Sequence, residues 1–276
     1  MGRRAVEALR SRAAYELALI EVDAVRAQAL RNDGFQPQEP AQALPQADLV
    51  MLAVPDALIG QIAATVLPQL RSGAVLIMLD AAAAYVGAVP VREDVTLMLA
   101  HPCHPGLFVE QATAEARRDY FGGIGVQDVV AALMSGDRGR FEQGIALCRD
   151  VFAPVGSVHE VTVEQMALLE PAMSEVMVAA AACAMKEALE AVIAEGVPRA
   201  AAEAFCAGHV QIALAIAFGA EKAPFSDAAK KAVKWGQDRI FRPDWKDVLT
   251  PAGTREAIAV MLPEVAFQVN PHGRKV

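Results

Sequence analysis

Three short, unbroken apolar runs constrain this chain more than anything else in it: Asp48–Val54 (DLVMLAV), Ala74–Leu79 (AVLIML) and Val95–Ala100 (VTLMLA). Runs of this length without polar alternation are strands covered on both faces, as when helices pack above and below a parallel sheet. The intervening segments agree. A helical pattern spans Ala57 to Leu70 after Pro55, and another, Ala24 to Asn32, closes at Gly34, where a left-handed residue suits a helix end. Tyr15–Val22 (YELALIEV) is a further strand candidate, ending in Glu21 and Asp23, and the opening MGRRAVEALRSR forms an amphipathic helix with Val6 and Leu9 on one side. Strand–helix alternation of this kind predicts βαβ units and an α/β domain with a parallel sheet over residues 1–160.

Beyond residue 160 the pattern changes. Thr162 and Gln165 have capping-box spacing, and a helical stretch runs on to Glu195 with Pro171 inside it. Gly196 stops that stretch, Pro198 opens the next, which extends to about Phe218, Ser226 caps a third through Trp235, and Thr254 a fourth over Arg255–Leu262. Nothing after 165 reads as a strand, so residues 161–276 form an all-helical domain, with no low-complexity linker between the halves. At 54% hydrophobic but only 5% aromatic, the chain suits closely packed helices rather than disorder. Its net charge of −8 argues against a nucleic-acid partner. The four cysteines, Cys103, Cys148, Cys183 and Cys206, form no CxxC pair and point to a reducing, cytoplasmic setting. Val176–Met185 is the longest apolar stretch in this reading and is too short to span a bilayer, and no signal peptide is visible.

Open α/β sheets take ligands outside the carboxyl ends of their strands. Four segments project there: Glu21-Val22-Asp23, Val54-Pro55-Asp56, Asp80 with the alanines after it, and His101 to His104. An acid ending the second strand of a dinucleotide fold holds the ribose hydroxyls, and Glu21 or Asp23 is placed for that; a solvated strand-end acid is the plainer alternative. The glycine-rich turn that should precede such a strand is represented only by Met1-Gly2, and Gly122-Gly123-Ile124-Gly125 follows no strand pattern and reads as a turn. His101 and His104, in a loop stiffened by Pro102 and Pro105, suit a general base, a substrate ligand or a metal ligand, and equally a rigid hydrogen-bonded loop. Glu170 precedes Pro171, whose missing N–H kinks a helix and frees the Ala167 carbonyl; an acid there calls for a metal, a histidine or a substrate hydroxyl. His209 sits in an apolar run and reads as a buried structural histidine, with a site facing Glu170 as the other option. Glu175, Glu187 and Glu190 are solvated in this reading, with Lys186 and Glu190 as an i,i+4 pair. Arg239, Arg242 and Trp245 fit either a carboxylate fork or an amphipathic docking segment.

The runs HPCHP, ARRDYFGGI (Ala116 to Ile124), VTVEQMALLEPA (Val161 to Ala172), GHVQIALAIAFG (Gly208 to Gly219), APFSDA and RIFRPDWK together resemble the D-apionate oxidoisomerase family. These bacterial enzymes are related in architecture to 6-phosphogluconate and other β-hydroxyacid dehydrogenases, and the likeness runs from Tyr15 to about Leu249. It implies a Rossmann-like NAD-binding domain followed by a helical domain that forms a homodimer, in an enzyme free of nucleic acid and membrane. It implies NAD-dependent oxidation of the branched sugar acid D-apionate to 3-oxo-isoapionate: hydride leaves the carbon beside the carboxylate, and a hydroxymethyl group then shifts between adjacent carbons. On this resemblance the cofactor would contact Gly2, Glu21, Asp23, Val54, Pro55 and Asp56. His101 and Glu170 are the expected catalytic residues and ligands of a divalent metal (Zn or Mg), with His104 and His209 as further catalytic candidates. Relatives open with a strand and a GAGGKMG-like loop, whereas this chain opens where that loop ends, which implies a misplaced start. A plain β-hydroxyacid dehydrogenase and a truncated, inactive dimeric paralogue are the alternative readings.

Overall fold

A computed structural model describes residues 1–263 of the 276. Five strands form one sheet in chain order: β1 Leu49–Leu52, β2 Val75–Met78, β3 Thr96–Pro102, β4 Gln127–Ser135 and β5 Val155–Glu160. β1, β2 and β3 are parallel neighbours and correspond to the three apolar runs. Along β2 the side chains alternate between two apolar clusters, which is what burial on both faces requires. Leu76 and Met78 join Leu44, Ile59, Leu97 and Leu99 on one face, while Val75 and Ile77 join Leu9, Met98, Phe141 and Phe152 on the other. Burying a side chain such as Phe141 fully contributes roughly 1.5–3 kcal/mol, and here both Phe141 and Phe152 are fully enclosed. β4 runs antiparallel to β3 and parallel to β5, so the sheet is mixed rather than parallel throughout.

The helices are α1 Gly2–Leu9, α2 Ala24–Asn32, α3 Pro40–Ala43, α4 Ile59–Val66, α5 Ala82–Tyr85, α6 Arg138–Val151, α7 Val163–Ala167, α8 Ala180–Ala194, α9 Arg199–Ala217, α10 Asp227–Ile240 and α11 Pro251–Met261. α1 buries Val6 and Leu9, the two positions its pattern marked as apolar. Thr162 caps α7 through a complete capping box with Gln165, and the helix continues through a π-helical stretch, Leu168–Ala179, that contains Pro171. A wider backbone spiral at a proline accommodates the lost hydrogen bond without ending the helix.

Three expectations need correcting. Tyr15–Val22 is extended, with alternate residues half-buried, but is not a strand: it joins no ladder of the sheet. Tyr15 and Leu17 nonetheless pack on the same cluster as Leu49 and Met51 of the edge strand β1. β4 and β5 escape a search for continuous apolar runs because they carry polar residues such as Gln127, Asp128, Ser157 and His159. Thr254 is a fully buried residue inside α11 instead of its cap, and Thr250 takes the capping place by accepting the Gly253 N–H at 3.2 Å.

The described residues divide into two compact units, Met1–Glu170 with 258–263, and Pro171–Ala257. In the second unit α8 and α9 are joined by a turn at Gly196 (φ 98°) and tied by Arg199, which donates to Glu190 at 2.8 Å. α8 and α10 bury no residue and α9 only Ala202, leaving Phe205, Phe218, Trp235 and Ile240 exposed. α9 is also long and apolar enough, by length and composition alone, to cross a membrane, contrary to the expectation that no such segment exists. Glu203 and His209 interrupt its apolar run without lowering the average far.

Candidate active site

Chemistry-bearing side chains gather at the carboxyl edge of the sheet. The parallel register pairs Met78 with Leu99, which brings the residues just past β2 alongside the last residues of β3. Half-buried His101 uses this: its Nδ1 donates to the Leu79 carbonyl at 2.8 Å. A neutral imidazole has one proton, so this bond keeps it on Nδ1 and leaves Nε2 as the basic nitrogen. Burial pushes the His101 imidazole below the usual histidine range; the Leu79 bond and the Asp80 charge pull the other way, and His104 adds to the lowering. Asp80 is itself 4% exposed, and its Oδ1 accepts the Ala82 N–H at 2.7 Å. Asp56 is held above the ordinary carboxyl range, first by loss of hydration and then by the charge of Asp80.

His104 stands at φ 60°, the single described residue other than glycine with a left-handed backbone. Its ring meets that of His101 edge-on, with centroids 6.2 Å apart, and that of Phe121 at 5.8 Å. Its Nδ1 donates to the Phe121 carbonyl at 3.2 Å, which also accepts Arg4 Nη1 at 2.7 Å. The Phe121 loop is shaped by Asp119: Oδ1 accepts the Gly122 N–H at 2.8 Å, and Oδ2 accepts those of Ile124 and Gly125, each at 2.9 Å. Partial burial pushes this carboxyl up, but the N–H groups of Gly125, Ile124, Gly122 and Phe121 outweigh it and hold it below the ordinary range. Converging backbone amides are an anion-binding nest, and here the chain fills the nest with its own carboxylate. Gly122 (φ 86°) admits no side chain, since a Cβ would fall 2.5 Å from Gln127 Nε2.

The structure thus brings His101 and His104 together, with Asp80 in electrostatic reach of His101 and Asp56 in reach of Asp80. Gly2 lies against Ala53, whose Cβ would be 3.4 Å from a Cβ placed on it, next to Val54 and Pro55. Asp23 caps α2 by accepting the Arg26 N–H at 2.8 Å, while Glu21 accepts the Asp23 N–H at 2.9 Å. Glu170 is half-buried in the π-helical stretch and ends the first stretch of unit one. His209 is exposed, against the expectation of burial; it stacks on Phe205 at 3.8 Å, on a helix whose apolar residues its own unit leaves uncovered. Arg242 pairs with Asp244 at 3.1 Å, and Arg239 lies over the Trp235 ring. Among the described residues no group of three or more His, Cys, Asp or Glu side chains is close enough to hold a metal ion. Asp80 stands at the carboxyl edge where its strand-end position placed it, whereas Asp119 was not among the sequence candidates. The signal for Asp119 was present in the spacing of an acid three residues before paired glycines, the pattern of a carboxylate that folds back onto turn amides.

A protein named D-apionate oxidoisomerase from Cupriavidus necator is 41% identical over 246 residues, spanning 88% of this chain and 89% of its own. The chain belongs to the D-apionate oxidoisomerase family. A second oxidoisomerase, from Pectobacterium atrosepticum, is 44% identical over 80% of this chain and 78% of its own. The profile of the phosphogluconate dehydrogenase (decarboxylating) C-terminal region matches residues 109–262, and that of the acetohydroxy acid isomeroreductase NADPH-binding domain matches residues 10–152. Among solved structures, a semialdehyde dehydrogenase NAD-binding protein from Cupriavidus necator, in complex with calcium and NAD, superposes with a TM-score of 0.88 at 40% identity, covering 96% of this chain and 95% of that one. An NADH-preferring ketol-acid reductoisomerase from an uncultured archaeon shares the fold, with a TM-score of 0.70 at 18% identity over 97% of this chain and 82% of that one. The oxidoisomerase chain therefore has the Rossmann-like α/β domain followed by helices that its sequence implied.

Proposed function

We propose that this oxidoisomerase uses NAD to convert D-apionate to 3-oxo-isoapionate. The observation that carries the reading is identity of 38–44% to proteins of that name over 80–91% of this chain. NAD fits this chain at α1, which starts beside the carboxyl end of β1 with no side chain capping its first turn. The free amides from Gly2 onward, and the positive end of the helix dipole, suit the pyrophosphate. Val54, Pro55 and Asp56 would border the cofactor, and Glu21 or Asp23 would take the ribose through the carboxylate oxygen left over from its turn bond. Bound NAD supplies a hydride acceptor. Among the described residues no group of three or more His, Cys, Asp or Glu side chains would by itself enclose a Zn ion, so a divalent ion here would depend on substrate oxygens for most of its ligands.

The chain's own side chains divide the proton chemistry. His101 Nε2 takes the proton of the hydroxyl beside the carboxylate as oxidation proceeds. The shift of the hydroxymethyl group then needs the tertiary hydroxyl deprotonated and the former ketone oxygen protonated, and His101 with Glu170 supplies that pair; His104 and His209 are the reserve candidates. The α/β domain and the helical domain, proposed at 1–160 and 161–276, would carry cofactor and substrate duties respectively. A second copy of the chain, covering the exposed apolar residues of α8–α10, makes the enzyme a homodimer. Its four free cysteines suit the cytoplasm. The test is incubation with NAD and D-apionate, following NADH by absorbance and product by carbon NMR. NADH together with a rearranged 3-oxo acid supports the reading; NADH with an unrearranged keto acid means a plain dehydrogenase.

A further inference from the structure

We propose that Asp80 is a positioning residue for His101: by accepting the Ala82 N–H it shapes the turn after β2 so that the Leu79 carbonyl meets Nδ1 of the imidazole. The inference deepens the reading of His101 as the group that acts on substrate, and rests on it. Two consecutive hydrogen bonds define the device. Asp80 Oδ1 to Ala82 N is 2.7 Å, and the carbonyl one residue upstream receives His101 Nδ1 at 2.8 Å. The far side of the turn runs into α5, where the Ala81 and Ala82 carbonyls accept the Tyr85 and Val86 N–H groups at 2.8 and 3.1 Å; the side nearest Leu79 is held by Asp80. Ala81, Ala82 and Ala83 are fully buried but carry only methyl groups, so no other side chain of the turn can fix its amides. A buried carboxylate among alanines costs hydration free energy that an apolar residue would not. Keeping it is explained if the orientation of the Leu79 carbonyl matters. That carbonyl decides which ring nitrogen of His101 carries the proton, and hence whether Nε2 is a base or a donor.

Three substitutions separate the contributions. Asp80→Asn keeps an acceptor at the same reach and removes the charge; Asp80→Glu keeps the charge and moves the acceptor by a methylene; Asp80→Ala removes both. The first readout is the long-range nitrogen–proton NMR pattern of His101 at a pH above the histidine range, which reports the tautomer without substrate. The second is kcat and KM with NAD and D-apionate. We expect Asp80→Asn to retain the Nδ1–H pattern. Asp80→Glu and Asp80→Ala should show a mixture of tautomers and lose roughly 10–100-fold in kcat, by analogy with the loss when the outer partner of a metal-bound histidine is removed, with KM nearly unchanged. A pure Nδ1–H pattern in Asp80→Glu or Asp80→Ala overturns the proposal. If Asp80→Ala does not fold, the Asn and Glu pair decides, and Glu matching Asn in both readouts overturns it equally. If His101→Ala retains full turnover while the tautomer still follows Asp80, the positioning is right and the role given to His101 is wrong.

Discussion

Replacing Asp119 by alanine should unfasten the loop that supports His104. The substitution removes the acceptor of three N–H groups, from Gly122, Ile124 and Gly125. The carboxylate is half-exposed, so each bond is given the ordinary net value of about 1 kcal/mol and not the larger one of a buried charge. Allowing for partial replacement by water, the loss is about 2–3 kcal/mol. In a unit of this size each kcal/mol is worth about 2–4 °C, so the melting temperature should fall by roughly 4–12 °C. Asp119→Asn should lie between, because whichever way the amide is turned its NH2 faces at least one of the N–H donors, for about 1–2 kcal/mol. Acidity gives an independent check. The Asp119 carboxyl is held below its ordinary value, so its stabilisation is present above the unfolded pKa of about 3.9 and is lost as pH falls through the folded one. Differential scanning calorimetry should therefore find the gap between wild type and Asp119→Ala wide near neutrality and narrowing below about pH 4. A gap under about 1 °C at neutral pH, or one that stays constant on acidification, would refute the account of the loop.

His101→Ala should cost at least about a hundredfold in turnover with KM little changed, as expected for a lost general base; unchanged turnover would remove His101 from the mechanism. Gly144→Ala places a Cβ 2.1 Å from Met98 Sδ at the contact of α6 with β3. Overpacking of that kind should destabilise by about 1–3 kcal/mol in urea titration, and a neutral result would show that Met98 can swing aside.

The parts of the molecule legible in the sequence are those where one force dominates. β1, β2 and β3 were plain because burial on both faces leaves nothing but apolar residues, as in Val75–Met78, where no side chain is exposed. α1, α2 and α7 announced themselves through amphipathic spacing or capping residues. β4 and β5 were hidden because Asp128 and His159 pair with each other across an exposed part of the sheet, at 2.8 Å, and break the run that a search looks for. In the site, His101 and His104 stood out as residue types, but neither the tautomer nor the carbonyl that sets it can be read from a string. Leu79 and His101 are joined only by the register of β2 on β3. His209 was misplaced because an apolar stretch around a polar residue is written identically for a core helix and for one waiting for a partner.

Among the described residues β1 has a neighbour on one side only, and the extended Tyr15–Val22 segment, packed on the same apolar cluster as Leu49 and Met51, forms no ladder with the sheet. A strand in that position is a template with its donors and acceptors aligned. Protein concentration should therefore govern the colloidal behaviour of this polypeptide as much as temperature does. Dilute solutions and a lysine placed on the outer side of β1 should both lengthen shelf life, and any extended apolar segment that enters beside Leu49–Leu52 should stop the growth of aggregates by completing the sheet first.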